Sequence, residues 1–281
     1  MSIRLGENNY GKQRVRLLQL AREKDQHHIK ELNLGIRLEG DFEAAHTQGD
    51  NSKILPTDTM KNTVYALARK HPIETIEQFC LQLVAHFLAH NPQVSRVRIE
   101  GTEALWARLP FGAKSHPYTF TRSTQEQRTV AVSATRSEKT VCAGIEGLVV
   151  LKTTNSAFEG FIRDEFTTLK EDRNRILSTV IHANWAYRGA ETDFDATWHA
   201  VRQLLLEVFA EHDSLSLQQT LYAMGEAVLS QFDSTSEISL SLPNKHFNLM
   251  NLSPFRLDNP GVIFLPTDEP HGLIEATLRK D

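Results

Sequence analysis

The chain of 281 residues contains little cysteine: Cys80 and Cys142 lie far apart in sequence, each among apolar neighbours. Two such thiols are too few for a disulfide framework or a zinc site, and they are typical of a protein in a reducing cytoplasm. Long apolar runs are missing as well, since pieces such as LLLEVFA fall far short of the roughly 18 residues that span a bilayer. The sequence therefore predicts a cytoplasmic protein without a membrane segment.

An excess of positive charge is also missing. The net charge is −4, which argues against a broad basic surface that binds nucleic acid. The segment MSIRLGENNYGKQ lacks the apolar core of a signal peptide, and the terminal LRKD is no peroxisomal address. The sequence has no GxGxxG, P-loop or GxSxG pattern, so it lacks the common nucleotide, phosphate and hydrolase fingerprints.

What is present is an ordinary globular composition with two kinds of periodicity. Hydrophobic residues make up 40% of the chain, enough for the core of one large domain or two modest ones. In IKELNLGIRLEG every second residue from Leu32 to Leu38 is apolar, which predicts an antiparallel strand with one buried face. MKNTVYALARK and ETIEQFCLQLVAHFLAH have helical spacing, and VSRVRIEG, YTFTRST and RTVAVSAT return to strands.

The second half of the chain repeats this order. GIEGLVVLKTT, FEGFIRDEFTTL and STVIHANWAYR are typical of strands, DATWHAVRQLLLEVFAEH and SLQQTLYAMGEAVLSQF of helices, and EISLSLP of a final strand. Strands grouped apart from helices favour an α+β fold with antiparallel sheets. We expect two units, residues 1–138 and 139–281, joined within the segment RSEKTVCA.

A polar pair follows the last of these strands. Ile238, Leu240 and Leu242 share one face of EISLSLPNKHF, and the same parity places Asn244 and His246 on that buried face. A buried polar group costs free energy unless it forms a hydrogen bond. The partners of this pair are either the protein backbone or a ligand.

Two other segments each allow a structural and a functional interpretation. Thr57 and Asp58 come directly before a helix in LPTDTMKNT, where they would cap it, although a helix N-terminus also binds anions. The segment NSAFEGFIRDEFTTLKEDRNRIL contains Phe158 and Arg175. Phe158 is either a core side chain or an aromatic face on which a flat anion stacks, and Arg175 is either a solvated surface charge or a guanidinium that binds that anion by two hydrogen bonds. Lys12, just before the first expected strand, is by itself typical of a solvated charge. Spacing alone does not decide between these interpretations.

The segments GLVVLKTTNSAFEGFIRDEFTTL, LPTDTMKNTVYALA and SLPNKHF together resemble the urate oxidases (uricases), the cofactor-independent enzymes of purine breakdown. The resemblance runs from NNYGK to DEPHGLIEATL and follows the family's order of motifs. It implies two tandem tunnelling-fold (T-fold) units, each an antiparallel β-sheet backed by two helices. Four subunits would assemble into a homotetramer whose sheets form a barrel around a tunnel.

The resemblance also assigns site residues, matched motif by motif: Lys12 of YGK, Thr57 and Asp58 of PTDT, Phe158 of NSAF, Arg175 of NRIL, Leu217 and Gln218 of SLQ, and Asn244 and His246 of LPNKH. In the family, the phenylalanine stacks on the purine while the arginine and glutamine grip its edges. The residue at the Leu217 position, more often valine, contacts the ligand through its backbone.

The remaining roles concern oxygen and protons. The asparagine and one threonine bracket dioxygen or water above the ring, and Lys12, Thr57 and His246 would form a proton relay. Lys12, Thr57 and Asp58 would come from a neighbouring subunit, which places each active site at a dimer interface. The resemblance thus implies oxidation of urate by dioxygen and water to 5-hydroxyisourate and hydrogen peroxide, with no metal and no other cofactor.

Two other classes of protein remain as alternatives. One is a zinc-dependent T-fold relative that binds purines or pterins, which would need a cysteine and histidine cluster that this sequence does not assemble. The other is a purine-binding protein without activity, against which the presence of Lys12, Thr57 and His246 argues.

Overall fold

The computed structural model describes residues 3–122, 124–189 and 192–280. In chain order the strands are β1 (Tyr10–Arg22), β2 (His27–Gly40), β3 (Val94–Ala104), β4 (Ala107–Phe111), β5 (Lys114–Thr121), β6 (Gln127–Ala134), β7 (Lys139–Lys152), β8 (Leu177–Tyr187), β9 (Thr235–Leu249) and β10 (Phe264–Arg279). The helices are α1 (Glu43–Thr47), α2 (Thr57–Lys70), α3 (Ile76–His90), α4 (Phe194–Glu211) and α5 (Leu217–Gln231). The predicted α+β class is confirmed.

The chain divides into two compact units. One comprises Met1–Gly144 together with Ala186–Ala196, and the other comprises Ile145–Trp185 and Thr197–Asp281. The predicted boundary, between residues 138 and 139, coincides with the first residue of β7 and remains a prediction. Within the described residues, no helix is long and apolar enough to cross a membrane.

In the first unit, β1, β2, β3 and β6 are neighbours in that order and pair antiparallel, and the first part of β7 follows β6. The alternation predicted for β2 is confirmed, because its four apolar residues from Leu32 to Leu38 are all buried. Most of the apolar stripes predicted for α2 and α3 is buried too, at Met60 and Val64 and from Ile76 to Phe87, while the predicted Leu67 and Leu88 are half-buried. Burial of these faces therefore forms the core of the unit.

A β-bulge interrupts the first strand. Lys12 pairs with Ile36 and Val15 pairs with Leu34, so one extra residue of β1 lies opposite β2. Arg14, within the bulge, has a φ of 58°, in the left-handed region. Because of the extra residue, Lys12 shares the face of buried Val15, although an odd separation would normally place the two on opposite faces. The sequence places Lys12 just before the first strand, but in the structure Lys12 lies inside β1.

A guanidinium group with several partners is buried in the same unit. Arg128, on β6, donates from Nε and Nη2 to the two carboxylate oxygens of Glu77, over 3.0 and 2.9 Å. Its Nη1 donates to Asp195 over 2.8 Å, and Nη2 also donates to the carbonyl of Phe194. The Arg128 and Glu77 side chains are 2% and 0% exposed. This bidentate pair is therefore desolvated but well supplied with hydrogen bonds.

In the second unit, the sheet has the order β7, β8, β9, β10, and β9 pairs antiparallel with β10. Ile238, Leu240 and Leu242 are buried, as their alternation predicts. One predicted strand, FEGFIRDEFTTL, is wrong: this segment is irregular, and its apolar Ile162 and Phe166 are 95% and 81% exposed. Apolar and charged residues intermingle there as they do in a strand, but these side chains pack against no core.

Candidate active site

A cavity of about 220 Å³ lies in the second unit, between the irregular segment before β8 and the last residues of β9. Four of the predicted site residues line it: Phe158, Arg175, Asn244 and His246. Two of these belong to the irregular segment and two to the strand. The structure thus brings together residues that are up to 88 positions apart in sequence, from 158 to 246.

Backbone hydrogen bonds hold Phe158 and Arg175 beside each other. The Phe158 amide donates to the carbonyl of Asp172 over 2.7 Å, and the Asp172 amide donates back over 3.2 Å. The Arg175 amide donates to the carbonyl of Ser156 over 2.8 Å. The Arg175 guanidinium carbon consequently lies 5.2 Å from the centre of the Phe158 ring, within the range of a cation–π contact.

The Arg175 guanidinium is partly desolvated and incompletely bonded. Burial lowers its pKa, and the charge of Asp172 opposes this effect. Its Nε is buried and has no hydrogen-bond partner among the described residues. A buried donor of a cationic group is costly unless an acceptor reaches it. The arrangement therefore favours a planar anion that offers an acceptor to the guanidinium.

Asn244 and His246 occupy the end of β9 at an interruption in the ladder. His246 pairs with Thr267 and Asn244 with Gly272, so residues 268–271 of β10 bulge out opposite Lys245. Lys245 forms an ion pair with Asp268 of this bulge, over 3.2 Å. Asn244 and His246 are half-buried, which corrects the prediction of full burial. The strand leaves the core after Leu242, and its next residues face the cavity.

Leu217 and Gln218 begin α5 and are not among the described residues that line the cavity. Leu217 is buried, and Gln218 is exposed. As the first two residues of the helix, they carry amide groups without acceptors inside the helix. Ser216 caps the helix by accepting from the amide of Gln219 over 3.2 Å.

The residue Ser214 connects this helix to the segment that carries Phe158. Its amide donates to the carbonyl of Asn155 over 3.0 Å, and its carbonyl accepts from Ala157 over 2.7 Å. Its hydroxyl accepts from the hydroxyl of Thr220 over 2.7 Å and donates to the carbonyl of Ser216. The sequence pattern gave no signal for this role of Ser214, because the hydrogen bonds depend on the backbone path and not on a motif.

The other three predicted residues lie in the first unit. Thr57 is the first residue of α2 and Asp58 the second, and the N-cap position is occupied by Pro56, which forms no side-chain cap. The prediction that Thr57 and Asp58 cap the helix from the preceding residues is therefore wrong, because both already have helical backbone. A hydrogen bond from Lys61 is the largest cause that lowers the pKa of Asp58, and the charge of Lys12 contributes a further decrease. The Lys12 ammonium is therefore close enough to the start of α2 to act electrostatically on it. Lys12 of β1 and the first two residues of α2, Thr57 and Asp58, are called the relay cluster, after the proton relay that the resemblance to the uricases predicts.

Comparison with known proteins gives a consistent result. A family model described as Uricase matches residues 8–133 and 141–275. The chain is 47% identical to a uricase of Arthrobacter globiformis, over 99% of this chain and 90% of that protein. It is 36% identical to a uricase of Dictyostelium discoideum, over 98% and 96% of the two chains.

Solved structures agree. The crystal structure of the Arthrobacter globiformis uricase superimposes with a TM-score of 0.95, and the match covers 100% of this chain and 96% of that one. A uricase from Bacillus fastidious, 26% identical, superimposes with a TM-score of 0.84 over 97% and 93% of the two chains. On these matches, which span nearly the whole sequence, the chain belongs to the uricase family.

Proposed function

We propose that this chain is a urate oxidase, which converts urate, dioxygen and water into 5-hydroxyisourate and hydrogen peroxide. The main observation in support is that one cavity of this uricase-family chain is lined by four of the predicted site residues, Phe158, Arg175, Asn244 and His246. Urate is a planar anion at neutral pH. An aromatic ring beside an incompletely bonded guanidinium suits such a ligand better than it suits an aliphatic or cationic one.

In this proposal the second unit holds the substrate. Phe158 stacks on the purine, and Arg175 and Gln218 bind its edges by hydrogen bonds. The Leu217 backbone amide adds a further donor, which the start of a helix supplies without cost to helical bonding. Arg175 also stabilises the negative charge that grows as urate loses its second proton, because a guanidinium fork meets two acceptors at once.

The relay cluster and the end of β9 carry the proton and oxygen chemistry. Lys12 and Thr57 remove the proton with the help of His246, and Asp58 contributes to the binding of substrate. Asn244 and Thr57 bracket dioxygen, and later water, above the ring. Doubly deprotonated urate passes two electrons to dioxygen, a hydroperoxide forms and leaves as hydrogen peroxide, and water adds at the vacated carbon. The substrate supplies the electrons, so the proposal requires no metal and no flavin.

We further propose a cytoplasmic homotetramer of tandem T-fold units, 1–138 and 139–281, with active sites at dimer interfaces. Exposed apolar side chains in the second unit support an interface, among them Phe166, Val262 and Leu273, which are 81%, 68% and 57% exposed. A mixing experiment tests the shared site, with Lys12→Ala and Arg175→Ala chains refolded together. If each site uses both chains, random pairing restores about a quarter of wild-type activity; sites within single chains would restore none.

The function itself is tested by urate consumption, followed by ultraviolet absorbance, on protein dialysed against a chelator and supplied with oxygen. We expect loss of urate with release of one hydrogen peroxide per urate. Urate binding without turnover would support a non-catalytic purine-binding protein, and activity that returns only with added zinc would support the metal-dependent alternative. Absence of urate binding would contradict the proposal as a whole.

A further inference from the structure

The hydroxyl group of Tyr10, near the start of β1, forms two hydrogen bonds with a single residue. It accepts from the Leu55 amide over 2.8 Å and donates to the Leu55 carbonyl over 3.2 Å. The Tyr10 ring also packs edge-on against buried Phe42, with centroids 4.8 Å apart at 86°. Packing fixes the ring while both polar functions of the hydroxyl are used, so Tyr10 is a rigid support for Leu55.

Leu55 is followed by Pro56 and Thr57, at the start of α2. Pro56 occupies the N-cap position, and a proline side chain has no oxygen that could accept from the first helical amides. Many helices fix their start through such a side chain, but this one cannot. The two hydrogen bonds between the Tyr10 hydroxyl and Leu55, called the tie, therefore fix the start of α2 against β1.

The same strand presents the lysine of the relay cluster. Tyr10 pairs with Leu38 and Lys12 pairs with Ile36, both buried residues of β2. Two residues apart on a strand, Tyr10 and Lys12 project from one face, the face on which α2 lies. Strand β1 thus supplies Lys12 and also the group that fixes the segment leading into Thr57.

We propose that Tyr10 is a positioning residue, which sets Thr57 against Lys12 through Leu55 and Pro56. It touches neither substrate nor oxygen and acts on the proton relay alone. This inference rests on the proposed function, in which Lys12 and Thr57 remove the proton from urate. Without the tie, the start of α2 would keep its helical structure but lose its fixed distance from Lys12.

The test compares Tyr10→Phe with Tyr65→Phe. Tyr65, on α2, donates from its hydroxyl to the Arg16 carbonyl of β1 over 3.2 Å. It therefore joins the same two elements about two turns further along the helix. Each variant removes a single hydroxyl group that links β1 to α2 or to the segment just before it. The comparison therefore shows whether the link at the start of α2 matters specifically, or whether any hydrogen bond between these elements has the same effect.

We expect Tyr10→Phe to lower kcat about tenfold, because small displacements of reacting groups are costly, with KM for urate changed less than twofold. The loss should shrink as pH rises, since hydroxide increasingly replaces the relay as the base. Tyr65→Phe should leave kcat and its pH profile unchanged. Equal effects in the two variants, or a change confined to KM, would overturn the inference.

Hydrogen exchange of the peptide that contains Leu55 gives a readout that does not depend on turnover. Its amide should exchange faster in Tyr10→Phe and at the wild-type rate in Tyr65→Phe. Unchanged exchange would contradict the positioning role even if activity fell. Wild-type protein that binds urate without turnover would instead contradict the proposed function, and the exchange result would still decide whether Tyr10 fixes this segment.

Discussion

Arg128 and Arg175 are both withdrawn from solvent, yet they differ in what surrounds them. Arg128, in the first unit, donates to Glu77, Asp195 and a backbone carbonyl. Arg175, in the second unit, has a buried Nε without a partner among the described residues. A guanidinium whose donors all bond to protein groups has a structural role, whereas one with an unbonded buried donor can still donate a hydrogen bond to a ligand.

The contrast extends to the buried polar groups of the two units. Charged residues that are buried, such as Glu77, Glu103 and Arg128, lie in the first unit. The buried polar residues described in the second unit carry only hydroxyl groups: Ser156, Ser178, Thr179, Ser214, Thr220 and Thr235. Arg175 thus has no buried carboxylate beside it among the described residues, only the exposed Asp172, and its partly compensated charge favours the binding of an anion.

The largest effect is expected from Arg128→Met, which leaves Glu77 buried without its cation. Breaking a buried ion pair on one side costs about 3–5 kcal/mol, measured here as the free energy of unfolding in urea. Glu77→Leu added to Arg128→Met should recover much of that loss. Arg98→Met, which removes a surface pair with Glu39, is the control and should cost at most about 1 kcal/mol. A loss no larger than the control's would remove the distinction between the two arginines.

Arg175→Lys tests the other arginine. Lysine keeps the charge but lacks the planar fork, so kcat/KM for urate should fall about a hundredfold with little change in stability. Arg173→Lys is the matched control, since Arg173 is 86% exposed and pairs with Glu159; its activity should stay within about twofold of wild type. If Arg175→Lys unfolded readily but kept its activity per folded molecule, Arg175 would belong with Arg128 as a structural residue.

Asn244→Ala tests whether this cavity residue binds dioxygen or water and not urate. If Asn244 holds dioxygen or water, kcat should fall about tenfold, the equivalent of one net hydrogen bond, while KM for urate changes little. Steady-state rates at varied oxygen and urate concentrations separate the two effects. Asn251→Ala, at an exposed residue just past the end of β9 that is not among the described residues lining the cavity, provides the comparison and should change neither constant. Loss of urate affinity with normal turnover would reverse the assignment.

The smallest effect concerns an arginine that is exposed and already paired. Arg16 bonds Glu31, and this bond is the largest cause that lowers the pKa of Glu31, followed by a hydrogen bond from Trp106. The resulting stabilisation is present above the ordinary pKa of 4.5 and is lost as pH falls through the lower pKa of the folded state. Glu31→Gln should thus cost at most about 1 kcal/mol at pH 7 and nothing in acid. A deficit that persisted in acid would point to lost packing instead.

Periodicity in the sequence predicted much of the fold, because burial of one face imposes a repeat. The stripe of α3 and the alternation of β2 and β9 are examples. The strand predicted for residues 158–169 is wrong because apolar residues of this segment, such as Ile162, are exposed in an irregular path. Repeat patterns report burial only where a core exists to receive the side chains.

The candidate site was predictable only in part, for a related reason. Asn244 and His246 were singled out by strand parity, but the roles of Lys12, Thr57 and Arg175 came from the resemblance to a family. These residues come close to other site residues only because segments that are distant in sequence lie side by side in the folded chain. Tyr10 stands inside the motif that supplies Lys12, and only its bonds to Leu55 reveal a role for it.

The bulge in β1 makes segment length, more than composition, the critical property of YGKQRV. Substitutions at Gln13 or Arg14 would keep the register with β2, and Arg14→Gly would suit the left-handed backbone there. Removal of one of these residues would leave Lys12 and Val15 two positions apart, on the same face of a regular strand, whereas removal of both would put them on opposite faces and turn Lys12 away from α2. Libraries built to improve this protein can therefore vary both positions, provided that every member keeps at least one of the two residues and that position 14 takes a residue that tolerates a left-handed backbone, such as glycine or asparagine.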